Sequence, residues 1–199
     1  MTIDQQLKND LDQMVSENPV VLFMKGTPSA PQCGFSARVC ETLDLYLDSY
    51  HAVNVLESEQ LREGIKVYSD WPTIPQLYVN GEFMGGCDIV QEMADTGQLA
   101  EVLGLEQPKA GEPTITISEA AAKKLVDACQ AQDGSSIRIL VSKNGRCSMA
   151  LGTKRPQDLQ TSANGVDLVL DPFSASRADG LVIDHKRDGF KSGFVLELR

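Results

Sequence analysis

The segment Gly104-Leu-Glu-Gln-Pro-Lys-Ala-Gly-Glu-Pro113 constrains this chain more than any other, with two Gly, two Pro and three charges in ten residues. Neither a long helix nor a sheet strand tolerates Pro and Gly at that density. One core running through all 199 residues is therefore not expected. The chain reads as a first domain over residues 1–105, a linker over 106–113 and a second domain over 114–199. Charge divides at nearly the same place. Residues 1–107 carry 5 Lys+Arg against 17 Asp+Glu, a balance of −12, while residues 108–199 carry 13 against 11, a balance of +2. Such asymmetry indicates two units with different surfaces.

The net charge of −10 argues against a nucleic-acid partner, whose backbone demands a basic footprint. No apolar run approaches the roughly 20 residues of a membrane-spanning helix, so no membrane role is expected. The opening Met1-Thr-Ile-Asp-Gln-Gln-Leu-Lys-Asn-Asp10 is acidic and polar, unlike a secretory signal. Five cysteines, an odd number without framework spacing, suit a reducing compartment, and the expected location is cytoplasmic.

In the first half, Leu7, Leu11, Met14 and Val15 recur at helical spacing, and Pro19 then introduces the strand-like run Val20–Met24. A Pro- and Gly-rich turn leads to Cys33. Residues 37–47 read as a helix, 51–55 as a strand and 59–68 as a helix. Gln76–Val79, Asn80-Gly81 and Glu82–Met84 form a hairpin with a type I′ turn signal. Helices over 88–96 and 98–103 follow. The order α-β-α-β-α-β-β-α gives an α/β layer structure with helices on both faces of a small sheet. The second half opens with the alternating Thr114–Ile117, then Ser118 as N-cap of a helix over 119–131. Strand-like runs follow at 137–141, 166–170, 181–183 and 194–198, with a charged turn around His185. That pattern is a smaller, strand-rich α+β domain.

The chemical signal is Cys33-Gly34-Phe35-Ser36, which follows a strand and a turn and opens a helix. Unpaired N–H groups and the positive end of the helix dipole favour a thiolate there by about 0.3–1 kcal/mol. Lys25 adds positive charge nearby. A dithiol redox pair would place Cys at position 36, where this chain has Ser, so Cys33 has no local resolving sulfur. A lone Cys is most often a small buried hydrophobe. Three linked features favour chemistry here: the helix-opening position, the preceding turn, and Trp71-Pro-Thr-Ile-Pro75, whose second proline opens a strand and is a candidate cis residue. A thiolate in this setting suits exchange with a small external thiol, or a soft metal.

Met24-Lys-Gly-Thr-Pro28, Cys33-Gly-Phe-Ser36, Trp71-Pro-Thr-Ile-Pro-Gln76 and Gly85-Gly-Cys-Asp88 together resemble the monothiol, CGFS-type glutaredoxins. The resemblance spans residues 1 to about 105. It implies a thioredoxin fold with Pro75 cis and glutathione beside Cys33. Lys25 and Arg62 would hold the glycine carboxylate, Ile74 would pair its backbone with the cysteinyl portion, and Cys87 with Asp88 would receive the γ-glutamyl end. It also implies a 2Fe–2S cluster, whose four ligands would be Cys33 and one glutathione thiol from each protomer of a homodimer. Cys40 lies seven residues along the helix, about 10 Å away at 1.5 Å per residue, and reads as a core residue.

Residues 114–198 resemble the A-type iron–sulfur carrier, or HesB-like, domain. The likeness lies in Ile115–Ala122, Gly145-Arg-Cys-Ser148, Val169-Leu-Asp-Pro172, Ile183-Asp184 and Gly193-Phe194. Cys147 matches the first cysteine of that family, and the resemblance makes it a candidate metal ligand. The Cys-x-Cys pair expected beyond the Gly-Phe strand is absent from this sequence, so a partner-docking platform is the simpler role for the domain. Cys129 reads as core.

Three functions follow. The leading one is an iron–sulfur cluster carrier, with apo iron–sulfur proteins as clients. The second is a glutathione-dependent monothiol disulfide oxidoreductase, which would make Cys33 catalytic. The third is a cluster-sensing adaptor for BolA-type partners, implied by the family resemblance.

Overall fold

The computed structural model describes residues 3–132, 135–188 and 191–199. The chain divides into two compact units, Met1–Leu105 and Glu106–Arg199.

In the first unit, α1 (Gln5–Glu17) leads into β1 (Val20–Met24), and a minute hairpin of β2 (Gly26–Thr27) and β3 (Ala30–Pro31) follows. Next come α2 (Gly34–Tyr46), β4 (His51–Asn54), a 3-10 turn over Val55–Glu57 and α3 (Glu59–Tyr68). The hairpin β5 (Gln76–Val79) and β6 (Glu82–Gly85) and the helices α4 (Cys87–Thr96) and α5 (Gln98–Val102) complete the unit. The sheet runs β4-β1-β5-β6, with β1 parallel to β4 and antiparallel to β5. This is the thioredoxin fold. The period-2 alternation of β1 divides its side chains between two layers. Val21 and Phe23 join Leu11 and Val15 of α1 and Ile65 of α3 in one core. On the other face, Met24 accepts a 3.6 Å contact from the Cys40 thiol of α2.

Local signals account for most element ends. Asp4 caps α1 by accepting from the Leu7 N–H, and Ser58 caps α3 by accepting from the Leu61 N–H. Asn80 and Gly81 take the positive φ values, 51° and 83°, that the tight hairpin turn needs. The Ile74–Pro75 bond is cis. Helix α2 starts three residues before the expected boundary, at Gly34, with Cys33 as its N-cap.

The second unit contains β7 (Ile115–Ile117), α6 (Glu119–Ala131), β8 (Ser136–Val141), β9 (Cys147–Gly152), β10 (Leu159–Ala163) and β11 (Val166–Leu170). The one-turn α7 (Pro172–Ala175), β12 (Leu181–Asp188) and β13 (Lys191–Leu198) follow. The strands form two sheets, β10-β11-β8-β9 and β13-β12-β7. A second core gathers Ile117, Leu125, Ile139, Leu168, Leu181 and Ile183. Residues 106–113 have neither helix nor strand and are bonded to this unit, Thr161 donating to Glu112 (2.6 Å) and Gln107 to Gln157 (3.2 Å). The expected charged turn around His185 is corrected. His185 sits inside β12, and the register of the hairpin sets it opposite Phe194, the two rings meeting edge-on at 5.1 Å.

Candidate functional site

The first unit holds a cavity of about 540 Å³. Its wall includes Lys25, Cys33, Arg62, Ile74, Cys87 and Asp88, so the six positions singled out in that half of the sequence converge on one place. They are placed by five elements. Lys25 follows β1, Cys33 caps α2, Arg62 lies on α3, Ile74 precedes β5, and Cys87 and Asp88 open α4. Cys147 lies in the other unit, at the start of β9.

Cys33 is half-buried at the N-terminus of α2 and has extended backbone. The Ser36 N–H donates to its sulfur and holds the thiol below its ordinary pKa. Burial opposes this, while the Phe35 N–H, the Lys25 charge and the Ser36 hydroxyl add to it. The other four cysteines move the opposite way, each pushed up chiefly by burial. Cys33 is therefore the chain's readiest thiolate. Cys40 is buried in the core, as its spacing from Cys33 indicates. Cys87 is buried on the cavity wall and is close enough to feel the Cys33 charge. The Cys147 thiol points to its own turn, 3.6 Å from the Gly145 carbonyl.

The cavity has a consistent polarity. Lys25, Arg62 and Lys66 bring positive charge, and Asp88 brings negative charge in the first turn of α4. Arg62 Nε and Trp71 Nε1 are buried donors without an acceptor. Glu63 approaches the cations from outside the lining, 2.8 Å from Lys66 Nζ and 3.9 Å from Arg62 Nε. The rim carries apolar surface at Phe35, 55% exposed, and Ile89, 38% exposed.

Lys66 and Trp71 are lining residues that the sequence reading did not single out. For Lys66 a signal existed: it stands four residues after Arg62 on α3, hence on the same helix face. For Trp71 the signal is its place at the head of the Trp71–Gln76 motif. The ring packs at a tilt of 56° against Phe83 (5.8 Å between centroids), and its indole nitrogen lies 3.1 Å from where a Cβ on Gly86 would stand. Among the described residues, no group of three or more His, Cys, Asp or Glu is arranged to hold a metal ion. A single thiolate in an open cavity can attack an external disulfide sulfur or donate one bond to a soft metal.

Comparison with known proteins bears on this half of the molecule. The glutaredoxin family model matches residues 20–84. Monothiol glutaredoxin-5, mitochondrial, of Schizosaccharomyces pombe is 48% identical over 123 residues, covering 57% of this chain and 84% of that protein. The protein of the same name from Saccharomyces cerevisiae is 49% identical over 106 residues, covering 52% and 71%. Monothiol glutaredoxin-S14, chloroplastic, of Arabidopsis thaliana is 53% identical over 96 residues, covering 48% and 56%. These relatives are named for mitochondria and a chloroplast, which overturns the cytoplasmic expectation. The expectation failed because free thiols exclude an oxidising compartment without separating one reducing compartment from another. At this identity, and with most of the fission-yeast relative's length spanned, the chain belongs to the monothiol glutaredoxin family.

Proposed function

We propose that this protein carries an iron–sulfur cluster, using Cys33 and the thiol of a glutathione held in the cavity. The observation that carries the proposal is a lone stabilised thiolate beside a cavity charged for a small dicarboxylate with one ammonium. Lys25 and Arg62, with Lys66 added, would take the glycine carboxylate, and the unpartnered Arg62 Nε suits an anion. The Ile74 backbone would meet the cysteinyl portion, and Cys87 with Asp88 the γ-glutamyl end. Because one chain offers one thiolate here, a 2Fe–2S cargo would need Cys33 and a glutathione thiol from each of two protomers. The exposed Phe35 and Ile89 supply an apolar rim for that homodimer. BolA-type proteins and apo iron–sulfur proteins are the partners this reading brings. The second unit is read as a HesB-like docking platform. Its Cys147, a half-buried thiol pushed up by burial, is a poor ligand as it stands.

Anaerobic reconstitution with iron, sulfide and glutathione, followed by native mass measurement, tests this. The expected species is a dimer with one 2Fe–2S cluster and two glutathiones, lost in Cys33→Ser. A cluster retained in Cys33→Ser, or none in the wild type, would overturn the proposal.

The depressed thiol of Cys33 also favours a second reading, glutathione-dependent reduction of mixed disulfides. The Cys33 thiolate would attack the glutathione sulfur of the mixed disulfide, forming a Cys33–glutathione disulfide and releasing the client thiolate. A second glutathione thiolate would then restore Cys33 and leave as glutathione disulfide. Turnover in a glutathione-coupled assay, abolished by Cys33→Ser, distinguishes this activity.

A further inference from the structure

We propose that Ser36 and Asn54 are positioning residues that hold Lys25 at the cavity, so that its ammonium meets an anionic ligand with little loss of backbone freedom. The inference rests on the reading of the cavity as a glutathione site. Arg62 and Lys66 need no such help, because α3 already fixes their backbone. Lys25 stands where the chain leaves β1 for a short loop, and three hydrogen bonds close around it. Its N–H donates to Ser36 Oγ (3.1 Å), the next N–H, of Gly26, donates to Asn54 Oδ1 (2.9 Å), and its carbonyl accepts from the Gln32 N–H (2.9 Å).

Both side chains are themselves fixed. Ser36 is fully buried on α2. Asn54 Oδ1 also accepts from the Leu56 N–H (3.1 Å) while its Nδ2 donates to Glu57 (3.2 Å), so the carboxamide cannot turn without loss. Gly26 completes the closure. At φ +86° a Cβ there would stand 2.5 Å from the Ala30 carbonyl oxygen and 2.8 Å from the Gln32 nitrogen. A loop packed this closely cannot drift, and fixing a cation before binding removes an entropic cost from association.

The chain's single Trp lines the cavity, so its fluorescence reports occupancy by reduced glutathione. Ser36→Ala and Asn54→Ala should each weaken glutathione binding by about threefold to tenfold, the scale of one neutral hydrogen bond. In a Lys25→Met background the same changes should cost less than about twofold, because residues that act through a common partner are non-additive. Amide hydrogen exchange should quicken at Lys25 in Ser36→Ala and at Gly26 in Asn54→Ala. Unchanged affinity in a folded single variant, or the full loss repeated in Lys25→Met, would overturn the proposal. Should one variant fail to fold, the other tests the tie on the adjacent amide. If glutathione does not bind the wild type at all, the functional reading falls, and unchanged exchange at both amides would overturn the positioning role independently.

Discussion

At Cys33 the thiolate is stabilised mostly by backbone: the N–H groups of Ser36 and Phe35 point at the sulfur, and Lys25 reinforces them. A group with a lowered pKa reaches its reactive form at lower pH. Alkylation with iodoacetamide, followed by peptide mapping across a pH series, should therefore label Cys33 first, with a midpoint below the ordinary 9.0. Cys129 and Cys147 should follow at higher pH, their thiols being pushed up by burial, and Cys40 and Cys87 should remain protected until the fold opens. Of the site residues, Cys33, Lys25, Ile74, Cys87 and Asp88 were legible because they fall inside four short motifs, and Arg62, which lies outside them, was legible only through the family resemblance those motifs carry. Lys66 was not, since a single Lys on an amphipathic helix reads as solvated surface. Ser36 and Asn54 were not, because their importance lies in which amide they accept from across the fold, a relation the linear sequence does not carry.

Between elements, the contact of α1 with α3 is fastened by one polar group. Asp12 accepts from Lys8 Nζ (2.9 Å) on its own helix and from the Tyr68 hydroxyl (2.8 Å) at the end of α3. Lys8 first and Tyr68 second hold the Asp12 carboxyl below its ordinary 3.8, while burial and then the Asp12 bond push Tyr68 up to about 12. The stabilisation is therefore fully present above pH 3.8 and is lost as pH falls through the lower folded value. Tyr68→Phe should lower the urea midpoint of the first unit slightly at pH 7 and make its decline in acid shallower, as read by unfolding at pH 7, 4 and 3. The elements that were legible are those with complete local signals: α3 between Ser58 and Tyr68, the β5–β6 hairpin at Asn80-Gly81, and α6 behind Ser118. Strands β9 and β10 were missed. Cys147–Gly152 and Leu159–Ala163 alternate between half-buried and exposed positions, but Ala150 faces outward and Thr161 inward, so the hydropathy contrast between the two faces is shallow; they are strands because β8 and β11 supply the pairing.

On the scale of the whole molecule, two separate cores imply two separable stabilities. The second unit contains a buried ion pair, in which the Arg138 guanidinium donates to both carboxylate oxygens of Asp158 and to the Thr153 carbonyl (2.7 Å). The side chains are 8% and 0% exposed, so removing one partner strands the other charge away from water. Arg138→Met should destabilise this unit by about 3–5 kcal/mol. In a calorimetric scan one transition should move down by many degrees while the transition belonging to residues 1–105 stays in place. A single transition shifted as a whole would show instead that the units unfold together.

The burial of Ser36 limits how such a site can change over evolutionary time. Restoring a second thiol by the single change Ser36→Cys replaces the oxygen that takes the Lys25 N–H with sulfur, a weaker and larger acceptor. The substitution that would give Cys33 a neighbouring redox partner would therefore also loosen the loop bearing one of the cavity's cations. A lineage crossing from one thiol to two would meet a trade-off at the first step, and the Lys25–Gln32 loop is where compensating changes would accumulate.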